Sequence, residues 1–300
     1  MQDTSTGKRW TLLELLNWTT AHFERAGIES PRLNAELLLS KVMGLERVML
    51  YANFDREAAP AEREQFRELV KRRTEHCPLQ YLTGVAEFYG RTFEVTSDVM
   101  IPRQETELVV DKCLEKIPGN GAELIAADVG TGSGVIAVTL ACERPGLRAV
   151  GTDTSVEALN LAARNAQRNG VADRVTFLRG NLCEPLVRGC NGGMELVVSN
   201  PPYIPTAGLE TLQPEVRDNE PREALDGGPD GLRVIRGLIP QAAAVLKPGG
   251  WLVLELGENH ADRVRAIIAA ASSLKPETVE TTTDGSGCER VLAVRKKSGP

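Results

Sequence analysis

The sequence predicts an α/β fold in which a parallel β-sheet carries helices on both faces and follows a small all-helical domain. From about residue 100, apolar runs of strand length alternate with stretches of helix length, which is the pattern of βαβ units. Before about residue 77, apolar residues recur instead at helical spacing. We therefore predict a helical domain over residues 1–77, a β-hairpin connector over 78–99 and an α/β domain over 100–300.

Three helices are expected in the first domain. The first ends at Gly27, and the second begins at Ser30-Pro31, with the serine as N-cap and the proline at the first helical position. The third runs from about Pro60 to the basic run Lys71-Arg72-Arg73, since cations suit a helix carboxyl terminus. That basic run is either a solvated helix end or a contact for a partner protein.

The α/β domain contains five candidate parallel strands and a closing antiparallel hairpin. The parallel candidates are residues 123–129, 148–152, 174–179, 194–199 and 250–256. Residues 247–250, which read Lys-Pro-Gly-Gly, are predicted to end a helix and turn into the last of these strands. Residues 277–283 and 290–295 form the predicted hairpin.

Composition narrows the class of protein. No apolar run approaches the roughly 18 residues that span a membrane, and the first residues carry no signal or transit pattern, so we expect a cytoplasmic protein without a membrane partner. Six cysteines without C-x-x-C spacing and three scattered histidines predict no metal site. A net charge of −6 argues against a broad nucleic-acid surface.

A glycine-rich turn follows the first predicted parallel strand. It reads Asp128-Val129-Gly130-Thr131-Gly132-Ser133-Gly134 and precedes a helical stretch, so a ligand could approach its backbone at a helix amino terminus. The turn also fits the G-x-G-x-x-A form of a dinucleotide site, with Asp153 about twenty residues further on. Asp128 argues against that alternative, because an acid there would repel a pyrophosphate but could receive an ammonium group.

A second motif, Asn200-Pro201-Pro202-Tyr203, follows the apolar strand 194–199. Two prolines stiffen the main chain and remove two amide donors. Asn200 adds a side-chain acceptor, Pro201 a backbone carbonyl and Tyr203 a flat ring. Together they suit the binding of a planar amino group through its N–H bonds.

With both motifs, the chain resembles the HemK (PrmC) family of S-adenosylmethionine-dependent methyltransferases, the glutamine N5-methyltransferases of peptide chain release factors. Asn-Pro-Pro-Tyr alone indicates only an amino methyltransferase, whereas Pro-Arg-x-x-Thr-Glu at 102–107 looks specific to the release-factor branch. The resemblance covers nearly the whole chain and also includes residues 78–84, 87–90, 225–232 and 289–291.

The resemblance implies a class I, Rossmann-like, seven-stranded methyltransferase domain. It implies methyl transfer from S-adenosylmethionine to the side-chain amide nitrogen of the glutamine in the Gly-Gly-Gln motif of class 1 release factors. The helical domain would recognise that protein substrate. No direct nucleic-acid partner is expected.

The resemblance also implies roles for individual residues. Asn200, Pro201 and Tyr203 would be catalytic, and with Pro202 they would bind the substrate amide; Glu105 and Glu107 could shape the pocket wall. The expected cofactor-binding residues are Asp128, Gly130, Thr131, Gly132, Ser133, Gly134, Asp153, Asn181, Leu182 and Asn200.

For Asp153 and for the pair Asn181-Leu182, the sequence itself offers a further consideration. Asp153 is placed to accept hydrogen bonds from the ribose hydroxyls, although it could instead be the N-cap of the helix that begins near Ser155. The pair Asn181-Leu182 departs from the family, which usually has an Asp followed by an aromatic residue. Leu182 can pack on adenine but cannot stack on it through π-electrons.

Three alternatives stay open at this point. An adenine-N6 methyltransferase of nucleic acid would present the same planar NH₂ group to Asn-Pro-Pro-Tyr, but residues 1–76 carry 12 acidic and 12 basic side chains and no basic excess. A glutamine methyltransferase of a ribosomal protein differs from the leading prediction only in its substrate. A non-catalytic binding module would not need both motifs intact.

Overall fold

The computed structural model describes residues 9–117, 119, 124–187, 193–271 and 273–298. These residues form two compact units. The first comprises the chain up to Gly84 together with Pro214–Asn219, and the second comprises Val85–Gln213 and Glu220 onward. The predicted domain limits at residues 77 and 99 stay a prediction.

The first unit is entirely helical. Its helices are α1 (Leu12–Arg25), α2 (Pro31–Met43), α3 (Arg47–Ala52), α4 (Pro60–Thr74), α5 (Leu79–Thr83) and α10 (Pro214–Arg217). Thr11 and Glu14 form a reciprocal capping box at the start of α1. The apolar faces of α1, α2 and α4 meet in one core that contains Phe23, Leu38 and Phe66.

The second helix begins at Pro31 as predicted, but its capping differs from the prediction. Ser30 has φ 48° and its side chain makes no capping hydrogen bond. The Asn34 side chain instead donates to the carbonyl oxygens of Glu29 at 2.9 Å and Ser30 at 3.2 Å. The short helix α3 has no counterpart in the prediction.

The basic run that ends α4 contains one buried cation. Lys71 and Arg72 are exposed, whereas Arg73 is buried. Its guanidinium donates to Asn34 Oδ1 at 2.7 Å and pairs with Glu215 at 2.6 Å. The interpretation as a solvated helix end is therefore wrong for Arg73, because its partners lie inside the first unit, and a partner-protein contact of the run stays a prediction.

The second unit is built on a seven-stranded sheet with the strand order β5-β4-β3-β6-β7-β9-β8. These strands are β3 (Leu124–Val129), β4 (Leu147–Asp153), β5 (Val175–Arg179), β6 (Met194–Ser199), β7 (Leu246–Glu255), β8 (Pro276–Thr283) and β9 (Glu289–Lys296). All neighbours pair in parallel except β9, which pairs antiparallel with both β7 and β8. This is the predicted class I methyltransferase sheet, with its closing hairpin.

Helices cover both faces of this sheet. They are α6 (Glu105–Lys116), α7 (Val135–Glu143), α8 (Val156–Arg168), α9 (Glu184–Val187), α11 (Arg233–Val245) and α12 (Ala261–Ala270). Alternate strand residues enter two separate cores: Leu196 and Val198 pack with α6 and α7, and Val197 packs with α11 and α12. Burial on both faces explains why the central strands β3 and β6 and the end of β7 are apolar runs without polar alternation. Among the described residues, no helix is long and apolar enough to cross a membrane.

The predicted turn at 247–250 lies inside a strand. Leu246 already pairs with Met194, and the next pair is Leu196 with Trp251, so residues 247–250 form an irregularity within β7. Gly249 has φ +79°, a conformation that favours glycine. The strand therefore begins at Leu246 rather than at residue 250, because the extra residues are accommodated as a bulge.

The predicted hairpin is present as β1 (Val85–Phe88) and β2 (Arg91–Glu94). Its two turn residues, Tyr89 and Gly90, have φ values of 51° and 67°, as tight hairpin turns require. Residues 79–83, which the prediction included in the hairpin connector 78–99, form the short helix α5.

Asn165 of α8 ties this hairpin to the glycine-rich turn. Its buried amide accepts from the Glu94 N–H at 2.7 Å and donates to the Glu94 carbonyl at 3.0 Å. The same Nδ2 donates to the carbonyl of Ser133 at 2.8 Å. One side chain thus satisfies backbone groups of both segments.

Candidate active site

The carboxyl ends of β3, β4, β5 and β6 surround a cavity of about 300 Å³. This is the edge at which parallel α/β sheets bind ligands. Nine of the predicted site residues line it: Gly130, Thr131, Gly132, Ser133, Asp153, Asn181, Leu182, Asn200 and Pro202. The remaining four, Asp128, Gly134, Pro201 and Tyr203, are not among the described residues that line it.

The glycine-rich turn presents bare backbone to the cavity. Gly130, Gly132 and Gly134 have φ values of +71°, +53° and +82°, which side chains rarely adopt. A β-carbon at Gly132 would have no protein atom within 4 Å, so the space beside this residue is open. At Gly134 a β-carbon would lie 3.0 Å from that of Ala162, so this third glycine serves helix packing instead.

Asp128 is buried at the end of β3 and organises the turn from behind. Its Oδ2 accepts from the Thr131 hydroxyl at 2.7 Å and from the Ala137 N–H at 3.1 Å. Burial raises the pKa of this carboxyl to about 6, and the nearby charge of Asp153 adds to the rise while the two hydrogen bonds oppose it. A direct contact between Asp128 and a ligand stays a prediction.

Asp153 joins two turns at the end of β4. Its Oδ2 accepts from the Gly132 N–H at 2.9 Å, and its Oδ1 accepts from the Ser155 N–H at 3.0 Å. The N-cap of α8 is Ser155, whose hydroxyl accepts from the Ala158 N–H, so the alternative in which Asp153 is that N-cap is wrong. A carboxylate oxygen keeps further acceptor capacity after one hydrogen bond, so Asp153 can still receive donors from the cavity.

Asn181 and Leu182 form the turn after β5. Leu182 has φ 53°, and its carbonyl accepts from the Thr152 hydroxyl at 2.8 Å. The turn is thereby held against the end of β4, with both side chains on the cavity wall. Their contact with an adenine ring stays a prediction.

Asn200 is held at the cavity by side chains that are distant in the sequence. Its Nδ2 donates to Thr106 Oγ1 at 3.1 Å, and the Thr106 hydroxyl donates to Glu255 Oε2 at 2.7 Å. The Tyr203 hydroxyl makes a longer contact of 3.4 Å with Glu255 Oε1. Both Thr106 and Glu255 are buried.

Two residues near Asn200, Glu255 and Tyr203, have raised pKa values. Burial raises the pKa of Glu255 to about 7, and Glu105 reinforces the rise, whereas hydrogen bonds from Thr106 and Tyr203 and the charge of Arg290 oppose it. Burial, together with the negative charge of Glu255, raises the pKa of Tyr203 to about 12. The phenol therefore keeps its proton at neutral pH.

Comparison with known proteins identifies the family. A profile described as the PrmC N-terminal domain matches residues 14–84, and one described as the methyltransferase small domain matches residues 106–213. A release factor glutamine methyltransferase of Geobacter sulfurreducens is 46% identical over 286 residues, which are 95% of this chain and 97% of that protein. The chain belongs to the release factor glutamine methyltransferases.

Two further members of that family span nearly the same length. The release factor glutamine methyltransferase of Moorella thermoacetica is 44% identical over 96% of this chain and 99% of its own length. That of Rhodopirellula baltica is 37% identical over 99% of this chain and 100% of its own. The family resemblance inferred from the two sequence motifs is confirmed, and the dinucleotide alternative is wrong.

Sequence reasoning missed three residues that surround the Asn-Pro-Pro-Tyr motif in this release factor glutamine methyltransferase. Thr106 lies within the Pro-Arg-x-x-Thr-Glu segment, and Glu255 is the last residue but one of the predicted strand 250–256, near the strand end at which polar residues gather at ligand sites. The third, His260, packs edge-on against Tyr203, with ring centroids 6.4 Å apart. Burial lowers the pKa of His260, so it packs there as a neutral ring.

Two acids that could have shaped the pocket wall do not line the cavity among the described residues. Glu107 instead accepts from the Tyr89 N–H at 2.7 Å and anchors the turn of the hairpin. Glu105 lies exposed in the first turn of α6. Its negative charge acts on the site by raising the pKa values of Glu255 and Tyr203.

Residues 225–231 support the Asn-Pro-Pro-Tyr motif from one side. The Ile204 N–H donates to the Leu225 carbonyl at 3.0 Å, and the Gly227 N–H donates back to Ile204 at 2.8 Å. The Thr206 hydroxyl donates to Asp226 at 2.7 Å. The segment that follows Tyr203 is therefore fixed by backbone pairing, and the tyrosine is carried by a rigid loop.

Proposed function

We propose that this protein transfers a methyl group from S-adenosylmethionine to the side-chain amide nitrogen of the glutamine in the Gly-Gly-Gln motif of class 1 peptide chain release factors. The observation that carries the proposal is the position of Asn200. It lies on the wall of the cavity, and its amide nitrogen is turned into the protein by Thr106. Membership of the release factor glutamine methyltransferases supports the same substrate.

The residues around the cavity fit S-adenosylmethionine. The glycine-rich turn leaves open space where a side chain at Gly132 would point, and Asp153 offers carboxylate oxygens to hydroxyl donors at the neighbouring strand end. We assign the methionine part of the cofactor to the glycine-rich turn and to the region of Asp128, the ribose to Asp153, and the adenine to Asn181 and Leu182. When bound, the sulfonium supplies an electrophilic methyl group.

The substrate side of the site must activate a weak nucleophile. A carboxamide nitrogen has its lone pair delocalised into the carbonyl, so two acceptors on its N–H groups increase the electron density at nitrogen. We assign these acceptors to the Asn200 side-chain oxygen and to the Pro201 carbonyl. Both hydrogen bonds strengthen as positive charge develops on nitrogen, which lowers the barrier more than it strengthens ground-state binding.

Pro202 and Tyr203 complete the proposed substrate site. The two consecutive prolines fix the backbone so that the acceptors keep their geometry without a substrate. We propose that Tyr203 packs against the flat amide. Because its pKa is raised to about 12, it cannot act as a base at neutral pH, and the amide proton leaves to water after methyl transfer.

Recognition of the whole factor is assigned to the helical domain at residues 1–77. In this proposal the catalytic cavity receives the glutamine on a thin Gly-Gly-Gln loop, and the helical domain binds the factor at a distance, in the cytoplasm. Remote contacts are lost with a short peptide, so kcat/KM should be far higher for a whole factor than for a Gly-Gly-Gln peptide. Equal values for the two substrates would contradict the recognition role.

The experiment that tests the function offers competing acceptors in one tube. Labelled cofactor is mixed with a release factor, the same factor with Ala in place of the Gly-Gly-Gln glutamine, ribosomal proteins, and DNA or RNA. We expect label only in the intact factor, at the glutamine nitrogen by mass spectrometry. Label in nucleic acid, with binding that weakens steeply with salt, would favour an adenine methyltransferase instead. Label in a ribosomal protein would retain the chemistry and change the substrate.

A further inference from the structure

A chain of side chains runs from the cavity into the protein interior. Asn200 Nδ2 lies 3.1 Å from Thr106 Oγ1, and Thr106 Oγ1 lies 2.7 Å from Glu255 Oε2. A threonine hydroxyl has a single hydrogen. If Thr106 donates that hydrogen to the carboxylate, it can only accept from Asn200, so the amide must turn its NH₂ group inward.

Resting on the function proposed above, we propose that Thr106 and Glu255 are positioning residues, which fix the Asn200 amide with its nitrogen toward Thr106 and its oxygen toward the substrate. The shape of an amide alone does not decide this, since oxygen and nitrogen are nearly the same size. Among the described residues, Asn200 Oδ1 has no hydrogen-bond donor of its own. The relay therefore leaves one acceptor for the incoming NH₂ group.

The opposite orientation would disable the site. A flipped Asn200 would present its own NH₂ group to the substrate NH₂ group, so two donors would face each other and no electron density would reach the nucleophile. Thr106 thus sets the polarity of the site, although it does not contact the reacting atoms in the proposed mechanism.

The direction of the relay depends on the charge of Glu255. The charged and titratable groups that act on this carboxyl are Glu105, Arg290 and Tyr203. Burial is the dominant influence and raises its pKa to about 7. As the pH falls through this value, a protonated Glu255 can donate to Thr106, whose own hydrogen is then free to turn toward Asn200 and favour the flipped amide. Turnover should therefore decline below about pH 7.

Kinetics of matched variants test the relay. Thr106→Val keeps the shape and removes the acceptor, and we expect kcat to fall roughly 10- to 100-fold, with cofactor affinity by calorimetry unchanged. Thr106→Ser restores the hydroxyl and should retain most of the turnover. Thr139→Val is the control, because Thr139 is equally buried and its hydroxyl has no partner among the described residues. Wild-type kcat in a folded Thr106→Val would overturn the proposal, as would equal losses in Thr106→Val and Thr106→Ser.

Glu255→Gln tests the relay through the pH dependence of kcat, which a purely structural role of Glu255 would not change. The glutamine does not titrate and can donate to Thr106 or accept from it at every pH, so kcat should lose the decline below pH 7. A variant that keeps the wild-type pH profile would contradict the relay.

NMR of the Asn200 side chain separates this inference from the proposed function. In protein labelled with ¹⁵N-asparagine, the Asn200 NH₂ signals, assigned by their absence in Asn200→Ser, should shift with a midpoint near the pKa of Glu255. They should not titrate in Glu255→Gln or Thr106→Val. This measurement needs no methyl acceptor: an inactive wild-type enzyme would defeat the proposed function, and the titration would still decide the relay. Signals that do not change between pH 5 and 9 would overturn it.

Discussion

A β-carbon at Gly231 would lie 2.4 Å from the main-chain carbonyl oxygen of Tyr203. It would also lie 2.9 Å from Cε1 of His260, the ring that packs edge-on against the tyrosine. No real β-carbon tolerates a backbone atom so near, and neither neighbour is a flexible side-chain end. The position of Tyr203 therefore depends on the absence of a side chain at residue 231.

Gly231→Ala should displace Tyr203 and lower kcat by about tenfold or more, because small displacements of positioned groups are costly. Cofactor affinity should change little, since Gly231 does not line the cavity among the described residues. Gly170→Ala is the control: φ is +72° there and +77° at Gly231, but a β-carbon at Gly170 meets nothing within 4 Å. Both variants carry a backbone cost of about 1 kcal/mol. Equal kcat values for the two variants would rule out the displacement of Tyr203.

Asn200→Ala should cut kcat by about two to three orders of magnitude, as for the loss of a hydrogen bond that strengthens in the transition state. Calorimetric affinity for S-adenosylmethionine should stay within a few-fold of the wild type. Asn53→Ala is the control, since among the described residues its side-chain amide donates to one carbonyl, that of Met49, one helical turn earlier. Near-normal turnover of Asn200→Ala would contradict the proposed mechanism.

Asp153→Ala should weaken cofactor binding by roughly 1–3 kcal/mol, because it removes charge-assisted hydrogen bonds and the acceptor that holds the Gly132 N–H. Asp284→Ala is a matched control. The Asp284 carboxylate accepts from the N–H two residues later at 2.9 Å, as Asp153 does at 3.0 Å, but it does not line the cavity among the described residues. Titration calorimetry of both variants decides the matter, and equal losses of affinity would contradict the ribose assignment.

Arg73→Met should lower the free energy of unfolding of the first unit by about 2–3 kcal/mol. Breaking a buried ion pair costs about 3–5 kcal/mol. The loss of stability is smaller here because the Glu215 side chain is 35% exposed and solvent screens its charge. Lys71→Met, at the exposed start of the same basic run, should change stability by about 0.5 kcal/mol or less. Thermal unfolding followed by circular dichroism compares them. A stability of Arg73→Met equal to that of Lys71→Met would show that the buried pair contributes nothing.

The centre of the sheet could be predicted because β3, β6 and the end of β7 are buried on both faces and so appear as continuous apolar runs. The end of β6 and the glycine-rich turn could be located for a local reason: Asn200-Pro201-Pro202-Tyr203 and the glycines carry their conformation in their own residue types. The prediction of a turn at 247–250 is wrong because a turn and a bulge share the local composition Pro-Gly-Gly. Only pairing with β6 distinguishes them.

The relay behind Asn200 could not be predicted in the same way. Thr106 and Glu255 are separated by 149 residues. They make contact only because the start of α6 packs against the end of β7 in the folded protein. Arg73 illustrates the same limit, since its burial depends on Glu215, far away in the chain. Local sequence patterns therefore predict sites whose backbone conformation is set by glycine and proline. Contacts between residues that are far apart in the sequence can be identified only from the folded structure.

The three hydrogen bonds of the Asn165 side chain bear on where a catalytic fragment that folds on its own can begin. This amide serves both Glu94 in the hairpin and Ser133 in the glycine-rich turn. A fragment starting at residue 100 would remove Glu94 and leave two of these three hydrogen bonds of the fully buried Asn165 amide unmade. The hairpin therefore belongs to the second unit, and we expect a fragment that folds on its own to include the chain from Val85 onward.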